Sequence, residues 1–150
     1  MRLKDKVAII TGAGQSEADG MGNGRATALS FARQGAKLML ANRSSPSMDE
    51  TARQVRAEGF AVESMLADIT NEDDCRQLMA ATTQAFGRID ILHNNVGAGT
   101  VEGDTADIDL AAWRQCLEMN LTGPMLLSKH VLPIMRAQQS GCITHTSSVA

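Results

Sequence analysis

Residues 7–29 read VAIITGAGQSEADGMGNGRATAL, and this stretch decides the fold. A short run of apolar and β-branched residues, typical of a buried strand, passes into a glycine-rich segment and then into residues that favour a helix. Glycines in such a turn let the backbone approach a pyrophosphate, which the N-terminus of the following helix holds. Because these glycines stand between a predicted strand and a predicted helix, we interpret them as a dinucleotide phosphate site rather than as a plain loop.

The rest of the chain repeats this alternation of short apolar runs and helical segments. Strands that alternate with helices predict right-handed crossovers and a parallel sheet. We therefore expect a single domain over residues 1–150, with a doubly wound α/β sheet of the Rossmann-like, three-layer αβα type that is incomplete at its C-terminal side. The predicted strands are Val7–Thr11, Lys37–Ala41, Ala61–Ala67, Ile89–His93 and Cys142–Thr146, and the predicted helical segments are Gly24–Gln34, Met48–Glu58, Glu72–Phe86 and Leu110–Gln138.

Local signals mark where several helices begin, end or break. Gly35 follows the first helix and predicts its C-terminal stop. Thr70 or Asn71 is placed to cap the third helix, whose first turn is acidic. Gly123 and Pro124 lie inside the long fourth segment, where they predict a break or kink.

Composition and charge exclude several classes of protein. Lys and Arg number 14 against 17 Asp and Glu, giving a net charge of -3 with no basic stripe, so nucleic acid is not an expected partner. No apolar stretch is long enough to span a bilayer. The odd set of Cys75, Cys116 and Cys142 has no metal-ligand spacing, and we expect reduced thiols in a cytoplasmic protein without a metal site.

The end of the second predicted strand bears on the choice of nicotinamide cofactor. An acidic residue at this place would bond the adenosine ribose hydroxyls and indicate NAD. Asn42 stands there instead, followed by Arg43. No carboxylate repels a 2′-phosphate, and a guanidinium can pair with one. The pattern favours NADP, with NAD as the alternative.

Several motifs together resemble the short-chain dehydrogenase/reductase family. Gly12, Gly22 and Gly24 resemble the three glycines of its TGxxxGxG turn, lengthened here by an insert. By the same resemblance, Met21 occupies a place where many NADP-preferring members carry Arg or Lys, which opposes the NADP interpretation. The stretch GRIDILHNNVGAG, residues 87–99, is similar to the family's NNAG segment.

The resemblance implies roles for further residues. Asp68 and Ile69 would meet the adenine, and Asn94, Asn95, Val96 and Gly97 would brace the central strand and line the adenine side of the cofactor. Asn120 matches the active-site Asn of the family and Ser148 its catalytic Ser. The three His residues are interpreted as structural.

The resemblance also implies a Tyr-x-x-x-Lys pair, which would follow Ser148 at a spacing that places it beyond Ala150. The chain contains no Tyr. We therefore expect this polypeptide to be catalytically inactive and marginally stable, or the natural protein to continue. The implied activity is hydride transfer between an alcohol and a carbonyl of a small-molecule substrate, in a homo-oligomer if full length.

Two other functions compete with this one. A non-catalytic dinucleotide-binding module would explain the missing Tyr, although the presence of both Asn120 and Ser148 speaks against it. An S-adenosylmethionine methyltransferase also uses a glycine-rich first turn, but that class usually keeps an acidic residue where this chain has Asn42.

Overall fold

The sheet and its helices follow the predicted alternation. A computed structural model describes residues 1–14, 20–97 and 104–147. The strands are β1 (Val7–Thr11), β2 (Lys37–Asn42), β3 (Val62–Leu66), β4 (Ile91–Asn94) and β5 (Cys142–His145), and the helices are α1 (Asn23–Arg33), α2 (Ser45–Ala57), α3 (Glu72–Phe86), α4 (Leu110–Leu117) and α5 (Gly123–Gln138).

All the strand pairs are parallel, and the strand order is β3-β2-β1-β4-β5. The chain winds outward from β1 to β3 on one side, then crosses to β4 on the other side of β1. This reversal makes the C-terminal edge between β1 and β4 the place where a doubly wound sheet opens a crevice for ligands. The predicted α/β doubly wound architecture is confirmed.

Two apolar clusters, one on each face of the sheet, make the three layers. Successive residues of β1 point to opposite faces: Ala8 and Ile10 pack toward α1 and α2, and Ile9 packs toward α3 and α5. Every residue of β1 is buried, as expected for a central strand covered on both faces. β5 is more open: only Ile143 packs against the core, while Cys142, Thr144 and His145 are exposed.

The helix ends agree with the local signals. Gly35 follows α1 with φ +92°, in the left-handed region that ends many helices. The Asn71 side chain accepts hydrogen bonds from the backbone N–H groups of Asp73 and Asp74, so Asn71 and not Thr70 is the cap of α3. α2 begins three residues earlier than predicted, because Pro46 is compatible with the first turn of a helix.

The long fourth segment breaks before Gly123. Residues Glu118–Thr122 form one π-helical turn between α4 and α5, with the Gly123 N–H bonded to the Glu118 carbonyl. Pro124 follows this turn and has no N–H to donate to the Asn120 carbonyl, which favours a local departure from the regular helix. The predicted interruption is therefore present as a wide turn centred on Asn120.

Candidate functional site

One cavity of about 440 Å³ lies at the C-terminal ends of the strands, beside the crevice between β1 and β4. It gathers every residue that the sequence assigned to cofactor binding except Asn94. The predicted residues on its wall are Gly12, Gly22, Gly24, Asn42, Arg43, Asp68, Ile69, Asn95, Val96 and Gly97.

The glycine turn is built by close backbone approach. Gly12 has φ +63°, and a Cβ there would lie 3.1 Å from the Asn95 carbonyl oxygen. A Cβ on Gly24 would overlap the Gly12 carbonyl oxygen. Larger residues would therefore separate the end of β1 from α1, and this cradle fits the requirement of a pyrophosphate site for close backbone approach. The insert at residues 15–19, with Glu17 and Asp19, lies outside the described residues.

Two helices begin at the cavity without a side-chain cap. Gly22 precedes α1 and has no side chain, and Ser44 precedes α2 but makes no capping hydrogen bond. Neither helix carries an acidic residue in its first turn. By contrast, Asn71 caps α3 and Asp109 caps α4, both away from the cavity wall. The first turns of α1 and α2 thus present backbone N–H groups and a positive dipole end suited to anions.

The end of β2 presents donors to the same cavity. The Asn42 Oδ1 accepts a hydrogen bond of 2.9 Å from the Arg43 N–H, which fixes the amide orientation. The Asn42 Nδ2 then faces Gly14, 2.8 Å from the position of a Cβ there. Ser47 approaches the same point with its Oγ at 2.9 Å. This part of the wall therefore carries an amide donor, a hydroxyl and a guanidinium, with no carboxylate on β2.

The carboxylate of Asp68 follows β3 and is held by its own turn. Its Oδ1 accepts hydrogen bonds from the Thr70 N–H at 2.9 Å and the Thr70 hydroxyl at 2.8 Å. The backbone N–H of Thr70 lowers the pKa of Asp68, partial burial opposes this, and the Thr70 hydroxyl and the charge of Arg43 lower it further. Asp68 is accordingly ionised near neutral pH and can accept a hydrogen bond from a ligand.

Asn95 ties three segments together beneath the cavity. Its Nδ2 donates to the Gly12 carbonyl at 3.2 Å, and its N–H donates to the Thr11 hydroxyl at 3.2 Å. Its Oδ1 accepts from the Thr146 hydroxyl at 3.2 Å. Asn95 thereby connects the end of β1 to the segment after β5.

Asn94 lies apart from the cavity. Its side chain is 3% exposed and its Nδ2 is 3.3 Å from the His145 Nδ1 on β5. Its Oδ1 is buried without a hydrogen-bond partner within residues 1–14, 20–97 and 104–147. The structure therefore places Asn94 between strands and brings only Asn95 to the pocket wall.

Of the two candidate catalytic residues, the structure describes Asn120 but not Ser148. Asn120 is exposed at the π turn, where its Nδ2 donates to the Cys116 carbonyl at 2.9 Å. Its Oδ1 lies 3.3 Å from the position of a Cβ on Gly97, so the turn stands at the rim of the cavity. Gly123 packs its backbone against Ile69, with a Cβ position 2.7 Å from the Ile69 Cδ1, and this contact seats the turn there. Ser148 lies outside the described residues.

Several wall residues were not predicted from the sequence: Gly14, Asn23, Ala41, Ser44, Ser47, Ala67, Thr70 and Met119. Ser44 and Ser47 stand within four residues of Arg43, so their position after the second strand was a usable signal. Met119 precedes Asn120 and offered no such signal, because it reaches the cavity only through the π turn.

The histidine and cysteine side chains of the described ranges are not part of this cavity wall. Each His side chain bonds to a neighbouring side chain: His93 to Thr144, His130 to Glu72 and His145 to Asn94. Within the described ranges, no group of three or more His, Cys, Asp or Glu side chains is placed to hold a metal ion. In the same part of the chain, no helix combines the length and apolar character needed to cross a membrane. The three cysteines are free thiols.

The fold and the cavity define an α/β protein with a nucleotide-type crevice. The chain belongs to the short-chain dehydrogenase family, whose model matches residues 6–150. This membership decides against the methyltransferase alternative.

Two curated relatives are similar to this chain in sequence. It is 34% identical over 145 residues to cis-4-hydroxycyclohexanecarboxylate dehydrogenase of Sinomonas cyclohexanicum, covering 97% of this chain and 55% of the relative. It is 37% identical over 150 residues to levodione reductase of Leifsonia aquatica, covering 99% of this chain and 54% of the relative. The chain thus spans about half the length of the curated relatives it matches.

Solved structures share the fold and bind either nicotinamide dinucleotide. A metagenomic short-chain oxidoreductase in complex with NADP is 31% identical with a TM-score of 0.90, covering 100% of this chain and 65% of that one. An NAD⁺-bound xylitol dehydrogenase is 30% identical with a TM-score of 0.91, covering 100% and 55%. A nicotinamide dinucleotide is therefore the cofactor class that the comparisons support.

Proposed function

We propose that this chain is the cofactor-binding part of an oxidoreductase that interconverts an alcohol and a carbonyl on a small-molecule substrate and prefers NADP to NAD. The observation that carries the proposal is the gathering of the glycine turn, Arg43, Asp68 and Asn95 around one cavity at the sheet's C-terminal edge. The family supplies the oxidoreductase class, and the residues of the cavity supply the expected binding mode.

The residues of the wall fit a phosphorylated dinucleotide. The first turn of α1, beside Gly22 and Gly24, would hold the pyrophosphate. The carboxylate of Asp68 would accept from the adenine amino group, with Ile69 packed beside the ring. When bound, the cofactor supplies or accepts the hydride, and the chain's residues bind and orient it.

The preference for NADP rests on the group after β2. With its Oδ1 bonded to the Arg43 N–H, Asn42 offers an amide donor to the cavity, as does the Arg43 guanidinium, and Ser47 lies on the same wall. Donors and positive charge favour a 2′-phosphate, whereas the ribose hydroxyls of NAD are best met by a carboxylate. Met21 is 61% exposed and adds no charge, so the preference depends on this cluster alone.

Asn120 and Ser148 are the proposed catalytic residues of this chain. Asn120 stands at the rim of the cavity beside Gly97, where it can help to hold a water on a proton path. Ser148 would position the substrate oxygen by hydrogen bonding. Because the 150 residues contain no Tyr to exchange the proton, we propose that they bind cofactor without turnover when tested alone.

We further propose that the protein at full length is a homo-oligomer in the cytoplasm. An apolar stripe on α4, the π turn and α5 is exposed in the single chain and suits packing against a second copy. The stripe consists of Leu110, Trp113, Leu117, Leu121, Met125 and Leu132.

The proposal is tested by titrating the purified chain with NADPH and with NADH by calorimetry, and by assaying ketone reduction. We expect binding of both nucleotides, tighter for NADPH, and no turnover by the 150-residue chain. Failure to bind either nucleotide would contradict the proposed function, and equal or tighter binding of NADH would contradict the preference. Binding without turnover by a longer natural protein that retains Ser148 would favour the non-catalytic binding module.

A further inference from the structure

Arg25 joins the first turns of α1 and α2 at the edge of the cavity. Its Nε donates to the Thr51 hydroxyl at 3.1 Å, and its Nη2 donates to the Ser47 carbonyl at 3.2 Å. One planar guanidinium thus binds two acceptors on the neighbouring helix. A Lys ammonium on a flexible stem cannot hold both in the same fixed geometry.

Thr51 closes the arrangement from within α2. Its side chain is fully buried, and its hydroxyl donates to the same Ser47 carbonyl at 3.1 Å while accepting from Arg25. The three groups form a closed ring of hydrogen bonds, which we call the Arg25 clamp (Arg25, Ser47 and Thr51). Because the ring includes the Ser47 backbone, it fixes the first turn of α2 and not merely a side chain.

The position of this turn sets the shape of the cavity wall. A Cβ on Gly14 would already lie 2.9 Å from the Ser47 Oγ and 2.8 Å from the Asn42 Nδ2. The loop after β1 and the start of α2 therefore touch with little slack. A shift of Ser47 would move the donors that face the proposed 2′-phosphate, since Asn42 and Arg43 lie five and four residues before it in the chain.

A second arginine joins the same two helices at their other ends. Arg33 donates to Glu58 through Nε at 2.8 Å and through Nη2 at 2.6 Å. Arg33 follows Arg25 by eight residues, about 12 Å along the axis of α1 at 1.5 Å per residue. Its pair is exposed and lies away from the cavity wall. Arg33 can therefore serve as a control for Arg25: both arginines join α1 to α2, but only the Arg25 contacts lie beside the cavity.

We propose that the Arg25 clamp is a positioning device that sets selectivity for the phosphorylated over the unphosphorylated adenosine ribose. The inference rests on the proposed NADP-binding function and assigns Arg25 and Thr51 to it through Ser47, without contact to the nucleotide. A charge-assisted bond to phosphate depends strongly on geometry. The proposed pyrophosphate contacts lie on α1 and the adenine contacts follow β3, so neither depends on the position of α2.

The test compares the ratio of NADH to NADPH dissociation constants in the wild-type chain, Arg25→Lys, Thr51→Val and the control Arg33→Lys. The Lys substitutions keep the charge, so they change geometry alone. We expect Arg25→Lys and Thr51→Val each to lower the ratio about fivefold, on the scale of one net hydrogen bond. We expect Arg33→Lys to leave the ratio within experimental error, although its melting temperature falls. The double variant should lose little more than the larger single one, because both residues act on Ser47.

A purely structural role would give a different pattern. If Arg25→Lys and Thr51→Val reduce the melting temperature but leave the ratio unchanged, the clamp only packs the helices and the inference is wrong. If wild type binds neither nucleotide, the proposed function fails and the inference with it. Binding by wild type together with an unchanged ratio in the variants overturns the inference alone.

Discussion

Gly24 and Gly12 touch through their backbones: a Cβ on Gly24 would overlap the carbonyl oxygen of Gly12. The first turn of α1 consequently sits directly on the end of β1, with no room for a side chain between them. This contact sets the distance between the sheet and the helix N-terminus on which the proposed pyrophosphate would lie.

The first prediction concerns Gly24→Ala. The added methyl group must push α1 away from β1, so we expect a loss of about 2 kcal/mol in unfolding free energy, as for other overpacked sites. We also expect nucleotide binding to become undetectable by calorimetry. The matched control is Gly59→Ala, because Gly59 has φ +83° but nothing within 4 Å of its Cβ position. It should cost about 1 kcal/mol through backbone strain and leave affinity unchanged. Equal affinities in the two variants would contradict this account.

The second prediction concerns Asn42→Asp. One carboxylate oxygen can keep the bond to the Arg43 N–H, and the other then replaces the donor that faces the cavity. We expect NADPH affinity to fall about tenfold through charge repulsion while NADH affinity rises. The dissociation constants of NADPH and NADH, measured for wild type and variant, test this change in preference. Asn42→Ala is the control: it removes the amide donor without adding charge and should weaken NADPH binding without improving NADH binding.

The third prediction concerns Asp90, a carboxylate that is 4% exposed at the N-terminal end of β4. Its oxygens accept from the Val7 N–H at 3.0 Å and from Arg88 at 2.6 and 2.8 Å. Burial alone would raise the pKa of Asp90, but the bonds from Arg88 and Val7 and the charges of Arg88 and Lys6 bring it below its usual value. We expect Asp90→Asn to lose about 2 kcal/mol at pH 7, measured by urea unfolding.

The pH dependence of this effect has a defined sign. Because the pKa is lower in the folded chain, the unfolded chain binds more protons as the solution is acidified. The contribution of Asp90 is therefore present above about pH 4 and is lost as the pH falls below that value. The difference between wild type and Asp90→Asn should narrow in acid. Glu50→Gln, which breaks an exposed pair with Arg53, should change stability little. A difference that stays constant with pH would rule out the ionised pair as its source.

The fourth prediction tests the apolar stripe on α4 and α5. Leu121 is 65% exposed, and a Lys there should prevent packing of the stripe against a second copy. In sedimentation experiments we expect the wild type to be oligomeric and the Leu121→Lys variant to be monomeric. The single Trp, Trp113, lies in the stripe, so its emission should shift to longer wavelength in the variant. Leu66→Lys is the control, since Leu66 is 55% exposed but lies on β3. Monomers of the full-length wild-type protein at all concentrations would contradict the proposal.

The fold was predictable because its signals are local. The apolar runs of β1 and β2, the Asn71 cap and the stop at Gly35 each depend on a few neighbouring residues. The pocket wall was largely predictable for a related reason: parallel strands bring their C-terminal ends to one edge, so residues that follow β1 to β4 must meet there.

Other features depend on contacts between distant segments. Asn94 and Asn95 are adjacent in the chain, and only the pairing of β4 with β5 shows that Asn94 turns toward His145 while Asn95 reaches Gly12. The bond from Arg25 to the Ser47 carbonyl likewise joins residues 22 positions apart, and nothing in the local sequence marks it. The form of the break at Asn120 also escaped prediction, since a five-residue turn has no pattern of its own in the sequence.

The π turn at Glu118–Thr122 contains one more residue than a regular helical turn. The shape of the cavity rim therefore depends on the number of residues in this turn as well as on their types. One residue fewer would remove the extra residue of the π turn and change how α4 is rotated relative to α5. Every side chain before the turn would then rotate by about 100° around the axis and advance about 1.5 Å. The Asn120 side chain would no longer lie beside Gly97. The residues of the stripe on α4 would no longer face the same direction as those on α5. The position of the cavity rim therefore depends on the number of residues between α4 and α5. A comparison of residue types alone does not register this dependence.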